Sequence, residues 1–279
     1  MKLTEIIKSV ENQYIQILEE FFISVYNEQA LLSHGIDHHR RVWNYAKEFL
    51  KLFPLIDAAQ ISKFTSELII ACYMHDIGMS LDHGVKHGIH SRKLCVQFLS
   101  KNNLPETDFK DALEAIEYHD NKNYTGNSRS NDLLTILSVS DDLDAFGCIG
   151  IYRYSEIYLT RQIDLEKIGN MIRENAGIRY ENFIKTYGSV NEIVLKHWER
   201  YYLLNMFFGK YNEQLHSYQF GTTSPSGFCG VVEIIRYIMN NNLQLKDFCT
   251  EPEKYTNDPL IKWFFTELVA ELLVEHTVL

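Results

Sequence analysis

The chain has 279 residues, is 46% hydrophobic and 23% charged, and carries a formal net charge of −10 with a pI near 5.6. That composition excludes disorder over most of its length and allows a substantial core, as one large domain or two small ones. The acidic balance argues against a broad surface for nucleic acid or anionic membrane, while leaving room for a local basic pocket around one phosphate.

The first residues, Met1 to Glu5, lead into an amphipathic pattern and lack the apolar core and cleavage site of a signal peptide. No uninterrupted apolar run approaches the roughly 20 residues needed to span a bilayer. The five cysteines, Cys72, Cys95, Cys148, Cys229 and Cys249, form no CxxC pair. A reduced, cytoplasmic setting is the expectation.

Residues 3–28 carry Ile6, Ile7, Val10, Tyr14, Ile17, Leu18, Phe21, Phe22 and Val25, the spacing of a helix with one apolar face. Ser33-His34-Gly35-Ile36-Asp37 breaks the pattern, and Asp37 reads as the N-cap of a second helix from His38 to about Leu52, ended by Pro54. A third helix covers about Ala58 to Met74. Its apolar run Leu68 to Met74 ends abruptly in His75-Asp76 and then Gly78. Adjacent His and Asp at the end of a buried element are costly without a partner, and a divalent metal is such a partner.

Residues 80–90 read as a polar loop, followed by a helix from about Ser91 to Leu99. Asp108 is placed to cap a helix through Ala112, Leu113 and Ile116 to His119, and Asp120 to Asn131 reads as an exposed loop. A helix over 132–146 delivers Asp141, Asp142 and Asp144, and Gly147 stops it. Further helices are expected at 164–186, 190–208 and 228–240, with a last one from Pro259 to about Glu275. The stretch 221–227 reads as a connector. No internal repeat and no period-2 strand series is visible, so the fold class is all-α.

Eight of the eleven histidines fall between His34 and His119. His38, His75, Asp76 and Asp141 stand out because each lies near a helix boundary, where side chains from distant segments can reach a shared cleft. Two imidazoles and two carboxylates suit Mn, Fe, Co, Ni, Zn or Mg in an open octahedral site. A structural zinc site more often recruits thiolates at short spacing, which are absent here.

These residues resemble the HD-domain metal-dependent phosphohydrolases, whose pattern is His, then His-Asp, then a distant Asp. Gly35 to Ala46 is similar to the first motif, with its His-x-x-Arg-Val core at His38, Arg41 and Val42. Tyr73-Met74-His75-Asp76-Ile77-Gly78 resembles the second, and Ser138 to Gly147 resembles the last. Gly150-Ile151-Tyr152-Arg153 is similar to a stretch in a bacterial nucleotide-hydrolysing branch. The resemblance covers roughly residues 30–160 and implies an HD-type helical bundle over that range. It leaves an N-terminal extension and a C-terminal helical extension over 161–279, within one all-α unit of 1–279.

The resemblance also implies roles. His38, His75, Asp76 and Asp141 hold one metal. His87, with His90 as a competitor, and His119 either bind a second metal bridged by Asp76 or line a phosphate pocket, so one or two ions are expected. Arg41, Lys86 or Arg153 neutralise non-bridging oxygens, an Arg fork being well suited to phosphate. Asp144 lies three residues after Asp141, on nearly the same helix face, for a supporting or substrate contact. The implied reaction is cleavage of a nucleotide or other small phosphate ester by metal-activated water. The implied partner is that small phosphorylated substrate, with no membrane partner, and homo-oligomerisation is left open.

Two alternatives come from other classes: a nucleotide-binding regulatory module with a metal site but little turnover, and a purely structural interaction protein. Met79 departs from the Lys that often follows the second motif's Gly. The forms typical of alarmone hydrolases and cyclic-di-GMP hydrolases are also absent. His34, His39 and His83 read as loop or helix-face residues, Asp142 as solvated, and Tyr201, Tyr202, Phe207 and Phe208 as core packing.

Overall fold

The computed structural model describes residues 2–26, 32–52, 57–82, 84, 86–121, 131–221, 224–243 and 245–277. The described residues form α-helices joined by turns, with no strand among them, as the all-α reading requires. The helices are α1 (Leu3–Val25), α2 (Ile36–Leu50), α3 (Ala58–Met74), α4 (His87–Lys101), α5 (Lys110–Tyr118), α6 (Leu133–Asp144), α7 (Gly147–Thr160), α8 (Leu165–Tyr187), α9 (Asn191–Leu215), α10 (Gly227–Asn240), α11 (Leu245–Thr250) and α12 (Pro259–Thr277). No helix among the described residues is long and apolar enough to cross a membrane. Pro54, His83 and most of the 120–131 loop lie outside the described residues.

Two compact units emerge, Met1–Leu143 and Asp144–Leu279. In the first, α3 is the axis. Leu68, Ile69, Ile70, Ala71, Cys72 and Met74 are all fully buried, because α1, α2 and α5 pack around the helix and α4 adds a further contact. A helical run apolar on every side, as 68–74 is, can only sit in the middle of a bundle. Burying each of its large aliphatic side chains contributes about 1.5–3 kcal/mol. Helix α1 lays Ile6, Val10, Tyr14, Leu18, Phe21 and Phe22 inward, and the Glu19 carboxylate pairs with Arg40 of α2 at 2.7 Å.

Two glycines set how closely α4 approaches. A Cβ on Gly78 would lie 2.2 Å from the His87 carbonyl oxygen, and one on Gly88 would lie 2.6 Å from the Glu117 carbonyl oxygen. The Gly78 N–H donates to Ser91 Oγ at 2.8 Å. The short 3₁₀ turn after α3 and the start of α4 can therefore touch only where no side chain intervenes.

In the second unit α7 plays the central part, with residues 147–156 buried and α9, α10 and α12 packed on it. Its start is satisfied by Glu271 of α12, which accepts from the N–H groups of Cys148 at 2.8 Å and Ile149 at 3.2 Å. These donors have no partner within their own helix, and a carboxylate there also complements the helix dipole. Gly147 has φ of +71°, a conformation that favours glycine, and a Cβ would meet the Glu271 carboxylate at 2.6 Å.

Several local expectations need correction. Asp37 is not a cap: Gly35 holds the N-cap position, and Asp37 sits exposed in the first turn paired with Arg40. A 3₁₀ turn at 32–34 leads directly into α2, which moves the helix start upstream. Helix α4 begins at His87 rather than Ser91, and Asp108 lies in a 3₁₀ turn while Phe109 precedes α5. Gly147 lies past the end of α6 and itself opens α7, and α7 and the short α11 add to the helices that the spacing predicts. Residues 147–160, grouped by sequence with the metal-binding core, belong by their contacts to the C-terminal unit. Tyr202 is 57% exposed and not core, whereas Phe207 and Phe208 are fully buried.

Candidate metal centre

Helix ends build this centre. Helix α3 stops at Met74, so the carbonyls of its last turn lack helical partners. His75 at its C-cap donates Nδ1–H to the Cys72 carbonyl at 2.9 Å. His119 follows the end of α5 and donates Nδ1–H to the Ile116 carbonyl at 2.8 Å. His87, the first residue of α4, does the same to the Gly84 carbonyl at 2.8 Å. A carbonyl oxygen only accepts, so each Nδ1 carries a proton and each Nε2 is the ring atom turned toward the cluster. This is the second-sphere arrangement by which proteins orient imidazole ligands.

All of these Nε2 atoms converge on Asp76, and its two oxygens divide them. On the Oδ2 side, His38 Nε2 and His75 Nε2 lie at 3.5 and 3.6 Å, and Asp141 Oδ1 stands 3.6 and 3.8 Å from the same two nitrogens. On the Oδ1 side, His119 Nε2 lies at 3.0 Å and His87 Nε2 at 3.3 Å. Every one of these six side chains is at least nine-tenths buried. Two donor groups able to hold a metal ion result: His38, His75, Asp76 and Asp141, and Asp76, His87 and His119.

The donor set fits a divalent cation. His38 Nε2 faces His75 Nε2 at 3.2 Å, and His87 Nε2 faces His119 Nε2 at 3.3 Å. Imidazole nitrogens facing each other in a buried site repel unless a proton or cation lies between them. Burial works to raise the Asp76 pKa. The charge of His75 and hydrogen bonds from His119, His38 and His87 overcome it and hold the carboxyl well below the usual carboxylate range. Burial likewise opposes protonation of His87, but its bonds to Asp76 prevail and hold its pKa up at about 9.

Of the other candidates, Arg41 is buried on α2, one turn beyond His38. Lys86 is exposed at the N-cap of α4. Arg153 is buried and donates Nη1–H to Asp144 Oδ2 at 2.9 Å, so in the C-terminal unit these two compensate each other. His90 stays outside the cluster, 4.0 Å from Asp82 on a partly exposed face, whereas His87 Nε2 lies 3.3 Å from Asp76. Met79 is buried, so no cation stands in its place.

Sequence reading missed three buried groups. His34 is 2% exposed, with Nδ1 2.9 Å from Ser33 Oγ and Nε2 3.8 Å from Asp76 Oδ2, at the edge of the cluster. The signal for it is spacing, since His34 lies four residues before His38 and a short turn places it on the same side. His39 is fully buried rather than on a helix face. Its Nδ1 shares the Cys72 carbonyl at 3.2 Å, and burial first, then the neighbouring His75 and His38, push its pKa well down. Asp142, expected in solvent, is fully buried.

A comparison with protein families matches residues 31–145 to the HD domain, an all-helical family whose members are generally metal-dependent phosphohydrolases. Comparisons with curated proteins and with solved structures give no match. The match spans the stretch from the turn holding His34 to the end of α6, and all six side chains of the two donor groups fall within it.

Proposed function

We propose that this protein hydrolyses a nucleotide or another small phosphate ester, and that it uses two divalent ions. The observation that carries the reading is the division of Asp76, whose Oδ2 faces His38, His75 and Asp141 while Oδ1 faces His87 and His119. A carboxylate so placed would be shared by the two ions. Divalent ions there would polarise a phosphoryl oxygen and lower the pKa of water to the neutral range. Mn, Fe, Co, Ni, Zn and Mg all suit a mixed imidazole and carboxylate set.

The protein's own groups supply position. The Cys72, Gly84 and Ile116 carbonyls hold three imidazoles in one tautomer, so little reorganisation accompanies ion loading. Arg41, buried on α2 one turn beyond His38, and Lys86, exposed at the start of α4, are the cations we assign to phosphate oxygens. The charge of Arg153 is paired with Asp144 in the C-terminal unit. Five free cysteines suit a reducing compartment, and we place the protein in the cytoplasm.

The test is a panel of nucleotides and generic phosphoesters incubated with the pure protein and each metal in turn. Metal-dependent release of phosphate or pyrophosphate is expected, and it should vanish in His75→Ala and Asp76→Ala while helix content is retained. Absence of product across the panel overturns the reading. A regulatory module with a metal site but little turnover is the second reading, favoured by buried Met79 where a cation often stands. Tight nucleotide binding without product would select it.

A further inference from the structure

The C-terminal unit holds a cavity of about 490 Å³ whose chemistry has no part in the metal centre. One wall is a face of α10, where Glu233, Arg236, Tyr237 and Asn240 recur at the three- and four-residue spacing of a helix side. The opposite face of α10 buries Val231, Val232, Ile235 and Ile238, so the helix is fixed in rotation and the polar face is committed to the cavity. The other wall brings Lys254 and Tyr255.

The walls are preorganised. Tyr255 stacks on Phe248 with centroids 4.5 Å apart, and Phe248 is itself 1% exposed. The Arg236 guanidinium lies over the Phe220 ring at 5.6 Å. The Glu233 carboxylate accepts from the Tyr218 hydroxyl on one oxygen and from the Gly221 N–H on the other, so its charge is already engaged. Lys254 pairs with Glu251 on the surface, and such exposed pairs are weak enough to be redirected. Two cations thus flank two large rings, Tyr237 and Tyr255, that stay solvent-exposed, in a chain whose net charge is −10.

A cavity of this size lies in the range of small-molecule sites. Cations select an anion, and bare aromatic rings beside them select a flat ring to stack on. We propose that this cavity is a second ligand site, taking a nucleoside phosphate with its base against Tyr255 and Tyr237 and its phosphates on Arg236 and Lys254.

The experiment is calorimetric titration of the full-length protein with ATP in EDTA, where divalent ions cannot support binding at the His/Asp cluster. Saturable binding is expected, weakened about tenfold or more in Arg236→Ala and in Lys254→Ala, because a charge-assisted contact is worth that much. Tyr255→Ala should weaken ATP while leaving tripolyphosphate unaffected. Circular dichroism and Tm of each variant confirm folding, and Lys254→Ala, at an exposed position, keeps the test valid if Arg236→Ala does not fold. Three results overturn the proposal: no ATP binding in EDTA, unchanged binding in both cation variants, or tripolyphosphate binding as tightly as ATP. Loss of the binding in Asp76→Ala would also overturn it, by moving the ligand to the metal cluster.

Discussion

Each unit is built around a helical run buried on every side, the C-terminal half of α3 in the first and α7 in the second, yet the polar groups at their ends are treated in opposite ways. Around α7 the buried charges are compensated from within the protein. Glu271 accepts from the first N–H groups of the helix, Arg200 lies 3.8 Å from the same carboxylate, and Asp144 pairs with Arg153. Beyond the end of α3 four imidazoles and two carboxylates converge with nitrogens turned toward one another. The first pattern is self-sufficient. The second is a donor set able to hold cations, and that difference separates buried polarity that holds a fold from buried polarity suited to a ligand.

The comparison breaks most visibly at Asp76. Asp76→Ala removes the ligand shared by both donor groups. Losing an outer partner of a metal site costs about 10–100-fold, so losing the shared ligand should lower metal-supported turnover by about a thousandfold or more, with metal content falling in elemental analysis. Retained metal and turnover would show that Asp76 is not a bridge.

Next in size is the counterpart in the second unit. Arg153→Met breaks the buried ion pair with Asp144, and should destabilise by about 3–5 kcal/mol in urea unfolding. Arg153→Met with Asp144→Leu should recover most of that loss. A variant with unchanged stability but lost turnover would move this pair from fold to function and blur the contrast.

Metal itself sharpens it. A divalent ion at a hundred times its Kd should stabilise by about 2.7 kcal/mol, read as a rise in Tm that His75→Ala abolishes. Two glycines give a paired test of similar size. Gly88→Ala should cost about 1–3 kcal/mol and also weaken metal binding, because α4 must shift off the Glu117 carbonyl and carry His87 with it. Gly147→Ala should cost as much through its positive φ while leaving metal affinity intact.

The smallest effect concerns Glu67, a buried acid of the first unit outside the cluster. Burial first, then the charge of Asp111, raise its pKa from 4.5 to about 7. Between those values the folded state binds more protons than the unfolded, so stability falls as pH rises through the window. Glu67→Gln should remove that slope and raise stability at pH 8 by about 1–2 kcal/mol in thermal melts.

Much of this was legible in the chain. The 3.6-residue spacing of apolar side chains marked α1, α3, α8 and α10 closely, because a period is a local property. His38, His75, Asp76 and Asp141 could be picked out because polar residues at the ends of apolar runs must be compensated. Helix starts at Asp37, Ser91 and Asp108 were misplaced, since 3₁₀ turns at 32–34, 77–80 and 106–108 shift the entry of the chain without altering its composition. Helix α7 was hidden because Gly147 looks like a stop, and it becomes a start only when Glu271, 124 positions away, caps it.

The sequence by itself determined an all-helical chain with a His/Asp donor set suited to a divalent ion, because helical periodicity and ligand chemistry are carried by residue type and spacing. Only the tertiary structure decided which histidines gather, since that depends on distances between helix ends. Gly78 and Gly88 let α4 close onto its neighbours, which brings His87 rather than His90 to Asp76. A turn folds His34 back to the edge of the same carboxylate, and three backbone carbonyls aim the rings. The division of Asp76 between two donor groups is a fact of packing, and no spacing along the chain encodes it.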